Sequence, residues 1–118
     1  MNTILLVSET RSVTDRVHAA LSGADVTIVD HPDPKTASRA AYDGEFDSVV
    51  VDMQVGSMGA MAVARAMRAA AGDQQAIPVT ILLDREEDAF LAGRSGAANW
   101  VHKGYTSADL REALGVSR

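Results

Sequence analysis

Cysteine is absent from this chain of 118 residues. That lack removes disulfide scaffolds, thiol nucleophiles and cysteine-type zinc sites together. Proline is scarce at three residues, and only 4% of the chain is aromatic. No apolar run approaches the roughly 18 residues of a membrane helix, and the N-terminus lacks the basic-then-apolar pattern of a secretion signal. A soluble cytoplasmic protein without membrane contact is the expectation. An excess of positive charge is missing as well. The formal net charge is −5, whereas proteins that grip a phosphate backbone concentrate lysine and arginine, so nucleic acid is not an expected partner. Lysine is nearly missing: Lys35 and Lys103 stand against nine arginines and 20 alanines. The remaining composition, 47% hydrophobic and 23% charged, suits one compact domain over residues 1–118.

Hydrophobic spacing alternates between two periods. Ile4-Leu5-Leu6-Val7 is a continuous apolar run, as in a strand buried on both faces. Val13, Val17, Ala20 and Leu21 then recur on one face of a helix that Gly23 should end. Residues 24–29 read as a second strand, and Asp25 and Thr27 between apolar positions mark it as a half-exposed edge. His31-Pro32-Asp33-Pro34 punctuates the chain before a short helix over residues 35–43. Ser48-Val49-Val50-Val51 is a third strand ending at Asp52. A loop with Gly56 and Gly59 leads to an Ala/Met-rich helix up to about Ala71, where Met58, Met61 and Met67 read as packing residues. Residues 77–83 form a fourth strand introduced by Pro78, residues 86–94 a helix, and residues 98–101 a fifth strand. Thr106-Ser107-Ala108-Asp109 resembles a capping box opening a last helix through Leu110 and Leu114. Strands alternating with helices predict an α/β fold, a flavodoxin-like, doubly wound (βα)5 parallel sheet in the order 2-1-3-4-5.

In such a sheet, ligands bind beyond the carboxyl ends of the strands, near the point where strand order reverses. That rim should gather Glu9, Asp52, Asp84 and Lys103, a set suited to a hard cation such as Mg²⁺ and a phosphoryl group beside it. Other chemistries find no support. His18, His31 and His102 lack metal-ligand spacing, and neither a serine elbow nor a Gly-x-x-x-x-Gly-Lys loop occurs.

The landmarks in order resemble the receiver domain of two-component response regulators over essentially the whole chain. They are Ile4-Leu5-Leu6-Val7, then Asp52 followed by Met53-Gln54-Val55-Gly56-Ser57-Met58, then Pro78. Gly96-Ala97-Ala98-Asn99-Trp100-Val101-His102-Lys103-Gly104-Tyr105 follows the ending Gly-Ala-x-x-aromatic-aliphatic-x-Lys-Pro-aromatic. The resemblance implies that Asp52 is a phosphoacceptor and a metal ligand, Glu9 a second metal acid, and Lys103 the cation paired with the phosphoryl group. It makes Leu83 and Trp100 the switch positions. It also implies a partner face on the fourth helix, fifth strand and fifth helix, carrying Phe90, Trp100 and Tyr105 and serving a downstream protein or a homodimer. A histidine kinase or phosphotransfer protein is the implied donor.

Several positions depart from that pattern. Ser8 replaces the first of two acids, so Mg²⁺ should bind weakly or not at all. Leu83 replaces the switch hydroxyl. Asp84 stands where a small residue is usual, and it either joins the metal shell or repels a phosphoryl group. Gly104 replaces a proline usually preceded by a cis bond; before a non-proline that bond costs about 2.5–4 kcal/mol, so trans is expected. Gly56, Gly59 and Ala60 also differ. Simpler roles stand beside these: Glu9 as a helix cap, and Lys103 as a neutralising partner of Asp52. The leading expectation is a stand-alone or excised, non-enzymatic receiver domain phosphorylated on Asp52. Its rivals are a phosphorylation-independent pseudo-receiver and, remotely, a small flavodoxin-like cofactor-binding protein.

Overall fold

A computed structural model of the chain describes residues 2–54 and 59–116. Its elements are β1 (Asn2–Val7), α1 (Arg11–Ala20), β2 (Val26–Asp30), α2 (Ala37–Asp43), β3 (Ser48–Asp52), α3 (Ala60–Ala71), β4 (Val79–Leu83), α4 (Ala89–Arg94), β5 (Asn99–His102) and α5 (Ser107–Leu114). The strands form one parallel sheet in the order β2-β1-β3-β4-β5. This is the doubly wound, flavodoxin-like arrangement expected from the alternation of periods. The loop expectations at residues 55–58, including Gly56 and the packing role of Met58, lie outside the described residues.

Strand alternation divides the core between two faces. Leu5, Val7, Val49, Val51, Val79, Ile81 and Leu83 point to one side, against Ala37 and Ala41 of α2, Val63, Ala64 and Met67 of α3, and Ala92 of α4. Ile4, Leu6, Val50 and Leu82 point to the other, against Val17 and Ala20 of α1, Leu21 just beyond it, and Tyr105, Leu110 and Val116 around α5. Every residue of β3 and β4 is buried, whereas β2 alternates between half-buried and exposed positions as an edge should. Each fully buried aliphatic side chain contributes about 1.5–3 kcal/mol, so the long runs in β1, β3 and β4 stabilise the sheet centre most.

Several boundaries differ from the sequence reading for local reasons. β4 starts at Val79 because the Ile77 amide donates to the Tyr42 hydroxyl (3.0 Å) and Pro78 has no N–H to donate. The short helix expected over 35–43 opens with a 3-10 turn, Pro34–Thr36, in which the Asp33 carboxylate accepts from the Lys35 amide (3.0 Å). The helix expected over 86–94 likewise opens with a 3-10 turn, Glu86–Asp88. β2 and β5 are each shifted toward the C-terminus, ending at Asp30 and His102. Among the described residues no peptide bond is cis, Lys103–Gly104 included, and no helix is long and apolar enough to cross a membrane.

Candidate functional site

Parallel strands deliver their last residues to one end of the sheet, and the reversal of order between β1 and β3 leaves a crevice there. Asp52, the last residue of β3, lies in it with no solvent exposure. Lys103 follows β5, and its amide donates to the Leu83 carbonyl (2.8 Å), which fixes the start of its side chain beside β4. From there the Lys103 ammonium reaches Asp52 Oδ1 and Asp84 Oδ1, each at 2.6 Å. One cation thus serves two carboxylates.

Neighbouring groups complete the network. The Ser8 hydroxyl donates to Asp52 Oδ2 (3.2 Å). The Gln54 amide donates to Asp52 Oδ1 (3.1 Å), a turn in which the carboxylate bonds the backbone two residues on. The Gln54 side-chain amide donates to Asp84 Oδ2 (2.6 Å), so Gln54 ties both acids together. His102 Nε2 lies 3.1 Å from the Asp84 carbonyl, and the Gly104 amide donates to His102 Nδ1 (3.1 Å). These two contacts fit a neutral ring with its proton on Nε2.

Asp84 and Lys103 each favour the other's charged form. Burial works against the charged form of Asp84, but hydrogen bonds from Lys103 and Gln54, with the Lys103 charge, outweigh it. The Asp84 carboxyl therefore titrates below its ordinary value. Burial also opposes the Lys103 ammonium, yet the bonds and charges of Asp52 and Asp84 prevail and lift its pKa. Burial pushes the Tyr105 hydroxyl upward, against a smaller opposing pull from Arg16 and Lys103.

The expected residues fall into place unequally. Asp52, Asp84 and Lys103 meet directly, while Glu9 is exposed and does not pair with Lys103. Nor does Glu9 cap α1: no acid stands in that helix's first turn, and Thr10 is its N-cap. Leu83 is buried in the core on the α3 side. Phe90 and Trp100 are 69% and 40% exposed, and the Trp100 ring covers Gly93, where an added Cβ would sit 3.2 Å from it. Tyr105, the third residue assigned to the partner face, is 8% exposed. It is buried in the α1–α5 core with the Arg16 guanidinium 5.3 Å above its ring, because the chain turns inward there to begin α5.

The donor set does not fit Mg²⁺. Both Asp52 oxygens are engaged by Lys103, Gln54 and Ser8, and among the described residues no three acidic or histidine side chains form a metal-binding group. A small hydrated cation needs a near-octahedral oxygen shell. This cluster instead presents an ammonium at its centre. Gln54 was missed as a site residue. Its signal was its position two residues after a strand-ending aspartate, where an amide commonly folds back on the carboxylate.

No family model matches the chain, and no curated protein sequence matches it. Solved structures do. The receiver domain of a sensor histidine kinase from Pseudomonas aeruginosa, crystallised with magnesium in its active-site cleft, superposes with a TM-score of 0.79 at 20% identity, covering 97% of this chain and 98% of that one. A chemotaxis response regulator of Vibrio cholerae gives 0.79 at 21% identity over 98% and 97%. The signal receiver domain of a histidine kinase from Syntrophus aciditrophicus gives 0.82 at 19% identity over 98% and 88%. The order of the strands, the faces on which the helices lie and these likenesses agree: the chain has the receiver-domain fold of two-component response regulators.

Proposed function

We propose that this chain is a non-enzymatic, cytoplasmic signalling module of the receiver type that binds a downstream protein without needing a phosphoryl group on Asp52. The carrying observation is the Lys103 ammonium at 2.6 Å from both Asp52 and Asp84. Two carboxylates around one ammonium leave the cluster with a net negative charge. An acyl phosphate would carry about −1.5 to −2 in place of the carboxylate's single charge, a net gain of up to about one negative charge, beside Asp84 and with no hydroxyl at Leu83 to bond its oxygen. The exposed Phe90, Leu91 and Trp100 supply the contact surface for the downstream protein, or for a second copy of the chain.

A second reading rests on the burial of Asp52 at the end of β3 with Lys103 in contact. There Asp52 accepts a phosphoryl group from the phosphohistidine of a histidine kinase or phosphotransfer protein. An Asp52 oxygen forms the new O–P bond, the P–N bond breaks, and the freed imidazole takes a proton from water. Incubation with a small-molecule phosphodonor and Mg²⁺, followed by intact mass, separates the two. The first reading expects the unmodified mass throughout. An adduct of one phosphoryl group that vanishes in Asp52→Asn would establish the second.

A further inference from the structure

Arg16 stacks on the Tyr105 ring and Arg111 donates to the Ala20 and Ser22 carbonyls; the other described arginines of this acidic chain divide into two kinds. Arg11, Arg39 and Arg85 pair with Asp15, Asp43 and Asp88 on their own turns. Arg65, Arg68 and Arg94 have no carboxylate within ion-pair distance among the described residues. The reason is local: α3 and α4, AMAVARAMRAAA and AFLAGR, contain no acid to serve as an i,i+3 or i,i+4 partner. All three are exposed, and all three line the same groove between α3 and α4, a space of about 620 Å³.

The groove is shaped for a chain. Between the arginines it is lined by small residues, Ala69, Gly93, Ser95 and Gly96. The Arg68 guanidinium lies over Gly96, where an added Cβ would come within 3.2 Å of its Nε. Arg68, Gly93 and Gly96 also line a second depression that runs to Gln75, Ile77 and Pro78, so the trough continues past the leading ends of β4 and β5. Arg94 stacks on Phe90, its guanidinium 5.6 Å from the ring centre, which holds one rim in place. This is the opposite end of the strands from Asp52 and Lys103, so the groove does not depend on the state of that pocket.

We propose that the α3–α4 groove binds an acidic, extended segment of a partner protein. Three unpaired guanidiniums on a molecule of net charge −5 form a local positive field that complements glutamates and aspartates. The open, shallow trough suits an extended backbone better than a small ligand, which an enclosed cavity would hold. A long nucleic acid would carry its charge past the groove onto the acidic remainder of the surface.

The test is fluorescence anisotropy with a labelled oligoglutamate peptide and the whole chain. Saturable binding is expected at about 50 mM salt and loss of it at about 500 mM, because exposed charges are screened over a few ångströms there. The triple variant R65S/R68S/R94S should bind at least about tenfold more weakly, while R11S/R39S, which removes paired arginines elsewhere, should bind as the parent does. Circular dichroism of each variant confirms its fold. Absence of binding at low salt, or equal loss in both variants, would overturn the proposal. So would displacement of the peptide by inorganic tripolyphosphate or single-stranded DNA at far lower concentration than by unlabelled oligoglutamate, since the groove would then prefer phosphate.

Discussion

Lys103 pairs with two acids at once, and the cost of replacing any member of the cluster follows from what is left behind. Lys103→Met strands Asp52, a carboxylate with no exposure, beside a hydrocarbon. Breaking a buried pair by removing one partner costs about 3–5 kcal/mol, and the partial exposure of Lys103 places this variant at about 3 kcal/mol. Asp52→Asn leaves the ammonium paired with Asp84 and keeps an acceptor for it, so a loss of about 1 kcal/mol is expected. Urea midpoints at neutral pH measure both, and equal losses would show that Asp84 shares none of the lysine's charge. The pH dependence follows from the same contacts. Asp84 titrates in the folded state below its ordinary value of 3.8, so its contribution is present above that pH and fades as pH falls through the lower folded value. Lys103 titrates above 10.5, so its contribution holds below that pH and fades as pH rises through the higher one. The contribution of these two groups to stability should therefore be flat between these limits and fall outside them. Asp84→Asn should shrink the acid limb of the profile; an unchanged acid limb would remove Asp84 from the network. Part of this site was legible beforehand, because strand ends in a parallel sheet converge and Asp52, Asp84 and Lys103 are all strand-end residues. The Gln54 bridge was not, since it depends on the path of a turn that no periodicity encodes.

Helix α5 shows how an element's end controls the site beside it. Thr106 Oγ1 accepts from the Asp109 amide (3.1 Å), and an Asp109 carboxylate oxygen accepts from the Thr106 amide (2.9 Å). This reciprocal cap starts the helix immediately after Tyr105 and within three residues of Lys103. Replacing the cap hydroxyl, in Thr106→Ala, should cost about 0.5–2 kcal/mol and fray the first turn, releasing the Tyr105 ring from the α1–α5 core. The urea midpoint measures the first effect, and faster hydrogen exchange at the Asp109 amide reports the second. Unchanged exchange there would mean that packing of Leu110 alone holds the turn. The capping box was visible in the sequence because its residues are local. The ends of β4 and of the short helices were not. They are decided by Tyr42 reaching Ile77 across 35 positions, and by Asp33 turning onto Lys35.

On the scale of the whole molecule, one sheet separates two cores that share its backbone. Leu5 and Leu6, or Ile81 and Leu82, are adjacent in the chain yet belong to opposite cores. The order of the strands was readable because continuous apolar runs marked β1, β3 and β4 as buried on both faces, while alternating β2 had to lie at an edge. The inward course of Tyr105 was not readable, since an aromatic at that position serves a core or a surface equally well. Cores coupled in this way should melt together. Met67→Ala opens a cavity beneath α3, and Leu82→Ala opens one on the α1–α5 side; both residues are at most 1% exposed, and each deletion should cost about 2–5 kcal/mol. Trp100, the single tryptophan, sits on edge strand β5, whereas far-ultraviolet circular dichroism reports helices on both faces. If the sheet transmits the loss, each variant should shift the fluorescence and dichroism midpoints by the same amount. A fluorescence transition that precedes the dichroism one in Leu82→Ala alone would show that β5 and its neighbours detach before the α3 core opens. The two faces would then be separate cooperative units joined by the central strands.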